Sequence, residues 1–344
     1  MAGVPKTFRI GISPDFHSEA QGHFEPVLDR HFGSLPNVEV VTLPDITATA
    51  EAIEQFDAIL ALALRVTAES VRAVTRPAIL ARWGVGYDLI DTDALSAAAI
   101  PLCITPSGVR RPVAEAELTM IFALAKNLFA LDRMARAGRW RQDMKGLGLD
   151  IEGSVLGSVG CGNIARELFR LARPLGFARL LACDPNVEPA SVVESDIELV
   201  SLESVLRESN FVAVNSLLTA GTANLIGEAQ LRFMKPTAFL INLARGPIVD
   251  HAALERALRE GWIAGAGLDV FPQEPPPAND PLFSLQNVIV TPHALAWTNG
   301  IMRGNGDAAC QHILSVMHGR APGDVVNREV LSDPRFLAKL ERYR

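Results

Sequence analysis

The segment VLGSVGCGNIARELF, residues 155–169, limits the possible folds more than any other part of the chain. It runs from an apolar, strand-like stretch through a glycine-rich turn into a helix-compatible run. Gly160, Gly162 and Ala165 form the pattern GxGxxA. The first glycine permits a tight turn after a strand. The second lets a pyrophosphate approach the backbone, and the small third residue lets helix pack on strand. A helix opening at Asn163 and Ile164 offers free N–H groups and a positive dipole end, which suit an anion. Asp184 stands 22 residues beyond Gly162, at the end of the next apolar run. A carboxylate there accepts hydrogen bonds from ribose hydroxyls and repels a 2′-phosphate, so the pattern favours NAD over NADP. Methyltransferases carry similar turns, so the pattern identifies a nucleotide fold but not a reaction.

The rest of the chain alternates in the same manner. Short apolar runs at 8–12, 38–43, 58–63, 78–82 and 102–105 read as strands, with helix-compatible stretches such as 48–55 and 68–74 between them. Residues 105–112, TPSGVRRP, read as a linker because of their two prolines and glycine. One long helix should follow, since Leu118, Ile121, Phe122, Ala125, Leu128 and Phe129 recur at helical spacing. A second block of strands is expected at 155–159, 180–183, 211–215, 238–242, 264–268 and 287–290, which makes a six-stranded doubly wound sheet. A last helix is expected over 301–317. If it returns to the first block, the first domain is built from both chain ends.

Composition narrows the function. The 344 residues fit about two domains. With 49% hydrophobic and 21% charged residues, the chain can bury enough apolar surface to fold. A formal charge of −7 gives no basic footprint for nucleic acid. No apolar run is long enough to span a membrane, and the first residues lack the pattern of a secretion signal. Cys103, Cys161, Cys183 and Cys310 form no CxxC pair, and the seven histidines form no HExxH cluster. The expectation is therefore reduced thiols, a cytoplasmic location and no metal site.

Three further segments place polar residues just past apolar strands. FLINLARGPIVD puts Arg245 there, GLDVFPQEP supplies Asp269 and Glu274, and VIVTPHALAWT supplies His293. Ligands of doubly wound sheets bind at that strand edge, so three independent surface residues are a poor explanation of the shared position.

With these motifs in hand, residues 58–330 resemble the D-isomer-specific 2-hydroxyacid dehydrogenases. The resemblance rests on RWGVGYDLID, VAEAELTMIFALAKN, the GxGxxA turn, NLARGPIVD, LDVFPQEP and TPH, in that order. It implies an α/β fold of two doubly wound parallel-sheet domains. A Rossmann cofactor domain (107–298) would be inserted into a flavodoxin-like substrate domain (1–106 and 299–344). It also implies hydride transfer between NAD(H) and a small 2-hydroxy or 2-oxo acid of the glyoxylate and hydroxypyruvate class. Arg245 would hold the substrate carboxylate and polarise the carbonyl, using its fork of donors. His293 would be the acid–base catalyst. Glu274 would bond its other ring nitrogen, fix the tautomer and favour the protonated imidazole. Backbone N–H groups of Gly84, Val85 and Gly86 would meet the carboxylate. Gly160, Gly162, Asn163, Ile164, Asp184, Leu243, Ala244 and Asp269 would line the cofactor, with Asp269 near the nicotinamide carboxamide. The family habit and the broad apolar helix both point to a homodimer.

The chain departs from the family pattern in two places. Leu217 stands where family members often carry proline, and the run after His293 is Ala294, Leu295, Ala296, Trp297, Thr298 instead of small residues. Leu295 and Trp297 would add bulk beside the nicotinamide pocket. A phosphoglycerate dehydrogenase is an alternative within the same chemistry. A non-catalytic, NAD-sensing corepressor-like protein is the alternative from another class.

Overall fold

The computed structural model describes residues 7–144, 146–192 and 196–344; the stretch read for a secretion signal begins in residues 1–6, outside that range. Contacts divide the chain into two units, Met1–Val109 with Trp297–Arg344, and Arg110–Ala296.

In the first unit, β1 (Phe8–Ile12), β2 (Val38–Thr42), β3 (Ala58–Ala61), β4 (Ile79–Arg82) and β5 (Leu102–Cys103) form a parallel sheet of order β2-β1-β3-β4-β5. Every residue of β3 is buried, as expected for a central parallel strand covered on both faces. One face packs on Ile53, Phe56, Leu64, Leu95 and Ile100. The helix Asn299–Met317 packs on β4 and on the helix Glu25–Phe32. Thr298 caps it, its hydroxyl accepting from the Ile301 N–H at 3.2 Å. Gly306 sits under Trp83, where a Cβ would lie 2.4 Å from the indole ring.

Three local expectations are corrected. Residues 105–112 are not a linker: the helix Pro106–Ala125 starts at once. Proline is well suited to a first helical position, because its φ is preset and its missing N–H has no partner there anyway. Gly108 then allows backbone contact with the helix Asn299–Met317, since a Cβ at Gly304 would lie 2.9 Å from the Gly108 Cα. The long helix is broken at Asn127, which adopts φ 52, and a second helix runs Leu128–Arg136. The Ala125 carbonyl turns away to accept from the Leu149 N–H at 2.7 Å. Residues 68–74 form only a single tight turn, Glu69–Val71, because the chain must reach β4 within a few residues.

In the second unit, β6 (Val155–Val159), β7 (Arg179–Cys183), β8 (Ile197–Leu199), β9 (Phe211–Val214), β10 (Phe239–Asn242), β11 (Gly265–Leu268) and β12 (Val288–Val290) make a parallel sheet of order β12-β11-β10-β9-β6-β7-β8. Among the described residues it has seven strands, one more than expected. The extra strand, β8, is a three-residue edge whose central Glu198 pairs with Arg179, and such a segment has no apolar run to betray it. The order of strands reverses between β6 and β9, which places the glycine-rich turn at the switch point.

Candidate active site

The β6 turn is built as its glycines require. Gly160 has φ 103, and a Cβ there would lie 2.6 Å from the Asn215 carbonyl. Gly162 precedes the helix Asn163–Ala172, and a Cβ built on it meets nothing within 4 Å. Asn163 is exposed at the helix start, Ile164 is half-buried and Ala165 is fully buried against the sheet. The half-buried Asp184 faces this turn. Its Oδ2 accepts from the Cys161 N–H at 2.9 Å and its Oδ1 from the Asn186 N–H at 2.9 Å. An open helix start with no side chain over it, beside a carboxylate that keeps spare lone pairs, fits the pyrophosphate and ribose of NAD.

The loop after β10 carries Leu243, Ala244 and Arg245. Leu243 is buried and Ala244 half-buried. Arg245 is extended, with a guanidinium nitrogen donating to the Ala244 carbonyl at 2.7 Å. Gly246 packs directly on the chain after β11, where a Cβ would stand 2.0 Å from the Phe271 carbonyl carbon. No side chain fits in that gap, so the Arg245 loop is held against the segment leading to Glu274.

His293 and Glu274 meet in this unit. The imidazole Nδ1 lies 2.7 Å from Glu274 Oε2, and Oε1 accepts from the Phe271 N–H at 3.0 Å. A carboxylate has no proton to give, so Nδ1 is the donor and Nε2 is the nitrogen left for substrate. Burial pushes the Glu274 carboxyl up, but the His293 hydrogen bond and charge, the Phe271 N–H and the Arg245 charge outweigh it and hold the carboxyl below its ordinary range. His293 itself has φ 54, a conformation uncommon outside glycine.

Asp269 explains how that conformation is held. The residue is 3% exposed; its Oδ1 accepts from the Thr291 hydroxyl at 2.5 Å, the Ala294 N–H at 3.0 Å and the Leu295 N–H at 3.2 Å. The carboxylate therefore grips the chain on both sides of His293.

In the first unit, Gly84, Val85 and Gly86 follow β4. Gly84 is buried, and its N–H already donates to the Arg82 carbonyl at 3.1 Å. The N–H groups on offer for an anion are thus those of Val85 and Gly86, both half-buried. The Arg82 guanidinium folds back over the turn, donating to the Gly86 carbonyl at 2.8 Å and to the Trp83 carbonyl.

Two contributors escaped the sequence reading: Asn242, whose buried amide braces the Arg245 loop, and Thr291 beside His293. The signal for Asn242 was available, since a polar residue closing the run FLIN needs a partner. Among the described residues, no group of three or more His, Cys, Asp or Glu is placed to hold a metal ion, and no helix is long and apolar enough to cross a membrane.

Residues 118–294 match the model for the D-isomer specific 2-hydroxyacid dehydrogenase NAD-binding domain. A glyoxylate reductase of Korarchaeum cryptofilum is 37% identical over 318 residues, covering 91% of this chain and 93% of the relative. One from Thermococcus kodakarensis is 38% identical over 278 residues, covering 78% and 82%. Among solved structures, a glyoxylate reductase from Paecilomyes thermophila superposes with a TM-score of 0.80 at 25% identity, covering 95% of this chain and all of that one. The chain belongs to the D-isomer specific 2-hydroxyacid dehydrogenase family. It is an NAD-dependent oxidoreductase for 2-hydroxy and 2-oxo acids.

Proposed function

We propose that this enzyme reduces glyoxylate and similar small 2-oxo acids, with His293 as the proton donor. The observation that carries the reading is the 2.7 Å bond between His293 Nδ1 and Glu274, on the same sheet edge as Arg245. When bound, NADH supplies the hydride. The rest is the work of this chain's residues. Arg245 binds the substrate carboxylate and draws charge onto the carbonyl oxygen. Protonated His293 gives its Nε2 proton to that oxygen, and Glu274 keeps the ring oriented and compensates its charge. In the first unit the N–H groups of Val85 and Gly86 are donors suited to an anion, and in the second Asp269 holds the His293 loop. The GxGxxA turn with Asn163 and Ile164 receives the pyrophosphate, Asp184 receives the ribose, and Leu243 and Ala244 line the cofactor.

The first unit is read as the substrate domain and the second as the cofactor domain. Four free cysteines support a cytoplasmic location. A homodimer is supported by a groove of about 660 Å³ in the second unit, lined by Phe129, Leu131, Met134, Leu147, Val288 and Ile289. Phe129 and Leu147 are 46% and 88% exposed, a large apolar surface for a second copy to cover.

The test is a steady-state screen of glyoxylate, hydroxypyruvate, pyruvate and phosphohydroxypyruvate with NADH and NADPH in parallel. Glyoxylate or hydroxypyruvate with NADH should give the highest kcat/KM. Tight NADH binding without turnover on any acid would refute the reading. Light scattering on the eluted protein reads the dimer directly.

A further inference from the structure

β10 reads Phe-Leu-Ile-Asn, three apolar residues and then an asparagine, Asn242, that is 1% exposed. A buried amide must find partners, and both partners of Asn242 lie in one loop. Its Oδ1 accepts from the Ala244 N–H at 3.0 Å, and its Nδ2 donates to the Arg245 carbonyl at 3.0 Å. The amide therefore spans the peptide units on either side of the Arg245 amide nitrogen and fixes the direction in which that side chain leaves the loop.

The main chain of Asn242 faces the other catalytic segment. Its carbonyl accepts from the Asp269 N–H at 3.0 Å. Asp269 in turn grips Thr291, Ala294 and Leu295 around His293. One residue thus ties the loop of the guanidinium to the clamp of the imidazole. A leucine at this position would complete the apolar strand equally well but could make neither side-chain bond.

We propose that Asn242 is a positioning residue, which acts on the substrate by orienting Arg245. This inference rests on the role given to Arg245 above. Misplacing a binding group by about an ångström costs up to roughly 100-fold in rate, so a brace of this kind is measurable.

The test uses the full chain in four forms: Asn242→Asp, Asn242→Ala, Arg245→Lys, and Asn242→Asp combined with Arg245→Lys. Asn242→Asp is nearly isosteric; it keeps the acceptor for Ala244 and loses the donor to the Arg245 carbonyl, so it carries the test if Asn242→Ala does not fold. With glyoxylate and NADH, each Asn242 variant should lower kcat/KM about 10-fold or more. Their NADH dissociation constants, read by fluorescence, should stay within roughly threefold of the parent. On the Arg245→Lys background, Asn242→Asp should cost less than about twofold, because residues acting as a unit are not additive. Fully additive losses, or losses confined to NADH affinity, overturn the inference. Parent-like Asn242 variants beside an impaired Arg245→Lys overturn it alone. An Arg245→Lys variant with parental kcat/KM overturns the underlying reading and the inference with it.

Discussion

The Glu274 carboxylate joins two segments: one oxygen takes His293 Nδ1 at 2.7 Å while the other takes the Phe271 N–H at 3.0 Å. The imidazole is thereby braced through an acid whose own position is set by the main chain. The ring is also 44% exposed, so it is oriented without being shut away from substrate.

Replacing His293 by asparagine removes the proposed proton donor and little else. We expect kcat for glyoxylate reduction to fall by about 100-fold or more, with the NADH dissociation constant unchanged. Stopped-flow turnover and fluorescence titration on the same preparation check both halves. Parental turnover would take His293 out of the reaction.

The Glu274 carboxyl is held below its ordinary range, so it stays ionised as pH falls toward that range. A group depressed by folding contributes above its unfolded value and loses that contribution only as pH drops through its folded value. The pair with His293 should therefore persist into mildly acidic buffer. Glu274→Gln removes the carboxylate that accepts from His293 Nδ1, so kcat/KM for reduction should fall about 10-fold or more with NADH affinity unchanged. Parental kcat/KM in the variant would count against the pair.

Asp184 faces the GxGxxA turn, which we propose receives the dinucleotide. Asp184→Ser removes a unit charge that would oppose a 2′-phosphate, an interaction of about 1 kcal/mol in water and several-fold more near a protein surface. The ratio of kcat/KM with NADPH to that with NADH should rise about tenfold or more. NADH affinity should fall somewhat, since the Cys161 N–H loses its acceptor. An unchanged ratio would assign cofactor choice to another residue.

Glu117, on the helix Pro106–Ala125, is fully buried, and neither carboxyl oxygen makes a hydrogen bond. Burial pushes its carboxyl up to about 8, against a partial pull from the neighbouring Asn215. Between about 4.3, its value in an unfolded chain, and about 8, the folded protein keeps a proton that the unfolded chain has released. Stability should thus fall as pH rises through this window. Glu117→Gln should be more stable than the parent at about pH 8 by a few kcal/mol, and the gap should close near pH 4. Urea midpoints at the two pH values decide it; a gap independent of pH would mean that the carboxyl is already ionised in the fold.

β1 and β6 begin and end at the expected 8–12 and 155–159, because most of their positions are buried and carry apolar residues or glycine. β8 was invisible because three residues at a sheet edge, one of them Glu198, need no such run. The prolines at 106 and 112 suggest a break, yet the first suits a helix start and the second lies inside the helix Pro106–Ala125. In the site, the residues we propose for the chemistry, Arg245, Glu274 and His293, can be named from their motifs alone. The groups that aim them were harder to see. The bracing by Asn242 and Asp269 depends on which backbone amides a folded loop turns inward, and no spacing rule reports that.

Asp269 holds the loop after His293 through backbone N–H groups that every residue except proline possesses. The identities of the side chains at 294 and 295 are therefore decoupled from the anchoring of the His293 loop. Substitutions of the side chains at Ala294 and Leu295 should leave the Asp269 clamp intact, and this short stretch can vary without releasing the His293 loop.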